Sequence, residues 1–169
     1  MQPVVERFAG ALTILALVVA LATLVALVRG RVPDWLRDDL ALPTAAVITG
    51  VATVGSLWMS EVAGYAPCVL CWYQRIAMYP LPLVLGIAAW RGDHDARWTV
   101  VPLASIGAVI SVWHLAIERV PGLAGPCDPA APCTVLWVEE FGVLTLPAMA
   151  LVGFLAAIVL SLAAGSPRR

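Results

Sequence analysis

Five apolar stretches, at residues 8–28, 44–63, 71–90, 98–117 and 142–164, constrain this chain more than any other feature. A helix rises about 1.5 Å per residue, so about 20 apolar residues cross the hydrocarbon core of a bilayer. All five stretches reach that length. In lipid the backbone N–H and C=O groups must pair within the segment, which makes each stretch an expected helix. Composition agrees: the chain is 62% hydrophobic and 12% charged, where a soluble domain carries about 25% charged residues. Pro80 and Pro82 fall inside the third stretch and predict a kink, with neighbouring helices satisfying the freed carbonyls. A cleaved secretory leader explains residues 8–28 poorly, because the run is about twice the usual 7–15 residues and lacks a small-x-small cleavage site. It is expected as a retained, lipid-facing helix without chemistry.

Arginine bias sets the expected orientation. All ten basic residues are arginine. With residues 29–43, 91–97 and 165–169 in the cytoplasm, that side holds Arg29, Arg31, Arg37, Arg91, Arg97, Arg168 and Arg169. The other side keeps Arg7, Arg75 and Arg119, in line with the positive-inside rule. The amino terminus and all four cysteines then lie outside, where disulfides persist. A net charge of −1 offers no basic surface for phosphates, so no nucleic-acid partner is expected.

The chemistry is expected where polar residues interrupt the apolar pattern. Cys68 and Cys71 form a Cys-x-x-Cys pair at the mouth of the third span, where a helix N-terminus favours a thiolate. Arg75 follows one turn deeper, about 6 Å below Cys71 on the same face. An arginine in a span costs about 2.5–3.5 kcal/mol on insertion scales, so it usually has a function. His114 and Glu61 fall at a similar depth on the fourth and second spans, and three such groups could receive a polar headgroup. Cys127 and Cys133 lie in a loop rich in proline and glycine, Gly125-Pro126-Cys127-Asp128-Pro129-Ala130-Ala131-Pro132-Cys133, expected to be exposed and irregular.

Simpler explanations compete at each position. Arg75 could snorkel to the interface, His114 could be an interfacial histidine, and Glu61 reads best as a solvated group. Trp58, Trp72, Tyr73, Trp98, Trp113 and Trp137 fit an aromatic belt. Met59 and Met78 fit packing, and Glu139 and Glu140 fit an interfacial turn. Four cysteines allow three pairings. They could also hold a soft metal, although the 127–133 spacing is wide for zinc, and Trp72 stands where haem attachment needs histidine.

The segment from Pro67 to Arg75, continuing through Met78-Tyr79-Pro80-Leu81, resembles the bacterial disulfide bond formation protein B family (DsbB and its shorter-loop relatives, BdbC). Trp113-His114, Pro132-Cys133-Thr134 and Phe141-Gly142 extend the resemblance, which covers residues 44–164. It implies a four-helix transmembrane bundle, here with one additional N-terminal transmembrane helix. The implied organisation is a first helix and cytoplasmic loop at 1–43, a redox bundle at 44–164 and a cytoplasmic tail at 165–169.

The implied activity is that of a thiol:quinone oxidoreductase of the bacterial cell membrane. It would reoxidise a DsbA- or BdbD-like thioredoxin-fold partner and reduce a quinone, ubiquinone or menaquinone. By the same resemblance Cys127 would take the mixed disulfide, Cys68 would exchange with Cys133, and Cys71 would lie next to the quinone. Arg75 would hold or polarise its oxygen, and His114 would sit near its ring. The extra helix and the close-spaced second pair depart from the four-helix pattern, the latter as in the shorter-loop branch. A reductase running the opposite way, like vitamin K epoxide reductase relatives, is the alternative that physics alone leaves open.

Overall fold

In a computed structural model, residues 2–120, 122–123, 127–128 and 131–165 are described, with side chains from residue 4. Arg168, Arg169 and most of the expected tail lie outside the described residues, as do Gly125, Pro126, Pro129 and Ala130 of the cysteine loop. The helices are α1 (Gln2–Val28), α2 (Ala41–Glu61), α3 (Val69–Met78), α4 (Pro80–Arg91), α5 (Arg97–Arg119) and α6 (Leu146–Ala164). Among the described residues, four helical segments are long and apolar enough to cross a membrane, and α3 with α4 forms the fifth crossing.

The third crossing is broken at its proline. The N–H of Tyr79 still reaches the Arg75 carbonyl at 2.9 Å, but Pro80 has no N–H and starts a new helix. The second crossing starts earlier than the apolar pattern indicates. A π-helical turn, Trp35–Leu40, leads into α2, and it admits the buried Arg37 by pairing it with Asp34 at 2.7 Å and the Val32 carbonyl at 3.1 Å.

Helix α6 is apolar on every side, the pattern of a fully surrounded helix, and it packs against α1, α2 and α5. Water exclusion drives no association between helices in lipid, so close van der Waals packing through small residues carries it. Ala156, Ala157 and Ala163 of α6 are 0% exposed, as are Ala41 and Ala45 of α2 and Ala104 of α5. Phe154 fills the space above Gly107 of α5.

Three expectations need correction. Helix α1 faces lipid on one side only: Ala16, Ala20 and Thr23 are buried, and Thr23 returns its hydroxyl to the Val19 carbonyl at 2.8 Å. Glu139 and Glu140 are not a turn but a strand, β1, paired antiparallel with β2 (Leu144–Thr145). The turn between them uses Phe141 (φ 54°) and Gly142 (φ 71°), both left-handed. That hairpin consumes the start of the predicted last span, so α6 begins at Leu146 instead of residue 142.

A candidate dithiol–disulfide site

Both cysteine pairs meet at one end of the bundle. Cys68 caps the N-terminus of α3 in extended conformation, and its sulfur accepts the Cys71 backbone N–H at 3.3 Å. The Cys68 and Cys71 sulfurs are 2.8 Å apart and unbonded. A disulfide spans about 2.05 Å, so less than about 1 Å of movement would close one. Cys127 and Cys133 are joined as a disulfide with Cα atoms 5.9 Å apart.

Burial is unequal within each pair. Cys68 is 4% exposed and Cys133 2%, whereas Cys71 and Cys127 are half-buried. The loop is therefore not simply exposed, as its proline and glycine content predicts, because Cys133 is pressed inward beside Leu70 and Ile117. The two buried cysteines face each other: the ligand atoms of Cys68, Cys133 and His114 all lie within 4.8 Å of one another. The disulfide already occupies the Cys133 sulfur, which leaves two of those three as free donors for a metal.

At the helix N-terminus the Cys71 backbone N–H is directed at the Cys68 sulfur. The Cys71 thiol beside it holds the Cys68 thiol below its usual range; burial opposes this, and His114 adds to it. His114 of α5 is 3% exposed. Its Nε2 is 3.7 Å from the Cys68 sulfur and 3.2 Å from the Cys133 carbonyl oxygen. The amide nitrogen of Gln74 lies 3.4 Å from its Nδ1. One turn along α5, Glu118 accepts the Thr145 hydroxyl at 2.8 Å. Cys68, Cys71, Cys133, His114 and Glu118 line a crevice of about 10 Å³, room for about one water molecule.

Arg75 is not in that crevice. Its Nε donates to the Ser56 hydroxyl at 3.1 Å and its Nη2 to the Ser56 carbonyl at 2.9 Å. The guanidinium lies 5.1 Å from the centroid of the exposed Trp72 ring. Glu61 is exposed and accepts the Ser60 hydroxyl at 3.1 Å. The three groups matched by depth therefore divide, with His114 on the sulfurs, Arg75 on α2 and Glu61 outside. Gln74, Ser56 and Glu118 escaped the sequence reading. Gln74 carried a usable signal, an amide within an apolar span, where polar groups are costly.

The family model described as "Disulfide bond formation protein DsbB" matches residues 38–164. Disulfide bond formation protein C of Bacillus subtilis is 45% identical over 115 residues, covering 67% of this chain and 83% of that protein. A probable disulfide formation protein C of Bacillus cereus is 45% identical over 127 residues, covering 74% and 91%. A probable disulfide formation protein of Oceanobacillus iheyensis is 42% identical over 115 residues, covering 66% and 79%. No solved structure matches the chain. With five apolar crossings and two adjoining cysteine pairs, the chain belongs to the DsbB family and is a multi-pass bacterial membrane protein of disulfide formation.

Proposed function

We propose that the chain is a thiol:quinone oxidoreductase, with residues 44–164 as its redox unit and its four cysteines outside the cytoplasm. It reoxidises a thioredoxin-fold disulfide donor and transfers the electrons to a membrane quinone. The observation that carries this reading is the placement of the Cys68 sulfur, 2.8 Å from Cys71 and within 4.8 Å of Cys133. Short shifts of one sulfur connect the two pairs.

Exchange proceeds by thiolate attack on a disulfide sulfur through a mixed disulfide. A partner thiolate attacks half-buried Cys127, the Cys127–Cys133 bond breaks, and Cys133 leaves as a thiolate. Cys133 then attacks Cys68 of an oxidised Cys68–Cys71 pair, and Cys71 leaves as a thiolate. The partner's second thiolate resolves the mixed disulfide and frees Cys127. Cys127 attacks Cys133, re-forms the loop disulfide and releases Cys68. The result is an oxidised partner, a bonded Cys127–Cys133 and a reduced Cys68/Cys71 pair.

The residues around Cys71 fit a quinone. The crevice is too small for its ring, but half-buried Cys71 is followed on α3 by the exposed Trp72 ring, which lies 5.1 Å from the Arg75 guanidinium. Among the described residues Arg75 Nη1 makes no hydrogen bond, so a donor remains for a carbonyl oxygen, and charge developing there would be stabilised. A bound quinone would supply the two-electron, two-proton acceptor that returns Cys68 and Cys71 to a disulfide.

The test uses purified protein in lipid with reduced thioredoxin-fold partner and quinone, following the redox state of both. Stoichiometric partner oxidation and quinone reduction are expected; partner oxidation without quinol would overturn the reading. Cys68→Ser or Cys71→Ser should leave the partner reduced in cells lacking another oxidase. Arg75→Ala should weaken quinone use by about ten- to a hundredfold, the value of a hydrogen bond to a charged group. Its cysteines should remain oxidisable by an added chemical oxidant.

A further inference from the structure

His114 contacts both cysteine pairs through one nitrogen. A carbonyl oxygen only accepts, so the 3.2 Å contact with the Cys133 carbonyl requires Nε2 to carry the hydrogen. In neutral imidazole Nδ1 is then an acceptor. The Gln74 amide nitrogen, 3.4 Å from Nδ1, is the matching donor. Gln74 is 7% exposed and His114 3%, so bulk water does not compete for either bond. Together the two contacts select one tautomer, with Nε2–H directed at the edge shared by the Cys133 carbonyl and the Cys68 sulfur.

The geometry points to His114 as the positioning residue for electron transfer between the two cysteine pairs, held in its working tautomer by Gln74. This rests on the thiol–disulfide relay above. In the step concerned, the Cys133 thiolate attacks Cys68; the Cys133–Cys68 bond forms, the Cys68–Cys71 bond breaks, and the electron pair leaves on Cys71. No outside oxidant is consumed. The N–H of His114 fixes the Cys133 backbone within attacking distance of Cys68. It also offers a hydrogen bond to the Cys68 sulfur, which carries the charge once the loop disulfide re-forms. Neither task involves the quinone, so the assignment moves His114 from the acceptor to the junction of the pairs.

The test separates the junction from the quinone. The full chain in lipid, quinone-free and with both pairs pre-oxidised, is mixed with dithiothreitol. Acid quenching, alkylation and mass mapping then time the appearance of thiols at each pair. A chain carrying both Cys127→Ser and Cys133→Ser, which has no loop thiol to attack Cys68, gives the background of direct reduction at Cys68–Cys71. His114→Leu should slow arrival at Cys68 and Cys71 about tenfold or more relative to reduction of the loop pair. His114→Gln, which returns an amide N–H near the Nε2 position, should recover most of that rate. Gln74→Leu should fall between them.

Equal slowing by His114→Leu and His114→Gln would reduce the residue to packing and overturn the proposal. So would unchanged transfer in His114→Leu combined with slowed reoxidation of the reduced pair by a water-soluble quinone analogue. If the unmodified chain itself passed nothing from the loop pair to Cys68 and Cys71, the relay would fail, a result distinct from either.

Discussion

Gly107 has room for hydrogen and nothing more. A Cβ there would overlap the Phe154 ring at Cζ, Cε1 and Cε2. The ring is 0% exposed and has nowhere to go. Overpacking a filled interior costs about 1–3 kcal/mol, so Gly107→Ala should lower the thermal midpoint in detergent or lipid. Adding Phe154→Leu should restore part of the loss; an unchanged midpoint in the single variant would show that the ring yields freely. At this scale the sequence was legible where a residue was out of place. Two thiols, an arginine and a histidine in apolar surroundings marked the site. Direction was not legible: Arg75 and His114 share a depth, yet only the packing of α3 between α2 and α5 sends them to opposite sides. Gln74, buried against His114, carries no charge and so stands out less in an apolar run than Arg75 does.

At the scale of elements, α1 is the part of the chain least accounted for by its relatives, since the family match begins at residue 38. Its first turns nevertheless reach the redox end. Tyr65, in the loop before Cys68, donates its hydroxyl to Glu6 of α1. The Tyr65 ring stacks on Trp137, which follows the second pair, with centroids 5.1 Å apart. Gly10 backs onto the hairpin, where a Cβ would come 3.2 Å from the Phe141 ring. Helix α1 therefore braces both cysteine loops. Glu6→Ala should raise amide hydrogen exchange across residues 131–145 while leaving exchange within α6 unchanged. No change in the hairpin would mean that α1 only fills lipid-facing space. Apolar runs of about 20 residues gave the five crossings directly. The hairpin was hidden because Val143 and Leu144 continue the apolar run of the last helix, and only the left-handed backbone at Phe141 and Gly142 reveals the turn.

For the whole molecule, the alternating crossings bring Arg7 and Arg119 to the cysteine end. Arg29, Arg31, Arg37, Arg91 and Arg97 gather at the other, where Arg97 donates to the Gly165 carbonyl. Positive charge near the ends of crossings is retained on the cytoplasmic side, so the cysteine end should face outward, into the compartment where disulfides form. Two probes at opposite ends test this in intact cells. Half-buried Cys127, released by mild reduction, should react with a membrane-impermeant maleimide added outside. Asp95, exposed in the α4–α5 connection, should be protected as Asp95→Cys in an otherwise cysteine-free chain until the cells are opened. The reverse pattern would invert the topology and place the site in a reducing compartment. The loop disulfide would then meet a pool that favours thiols, and the relay would lose its substrate. Orientation and chemistry thus stand on the same arginines, although none of these five touches a sulfur.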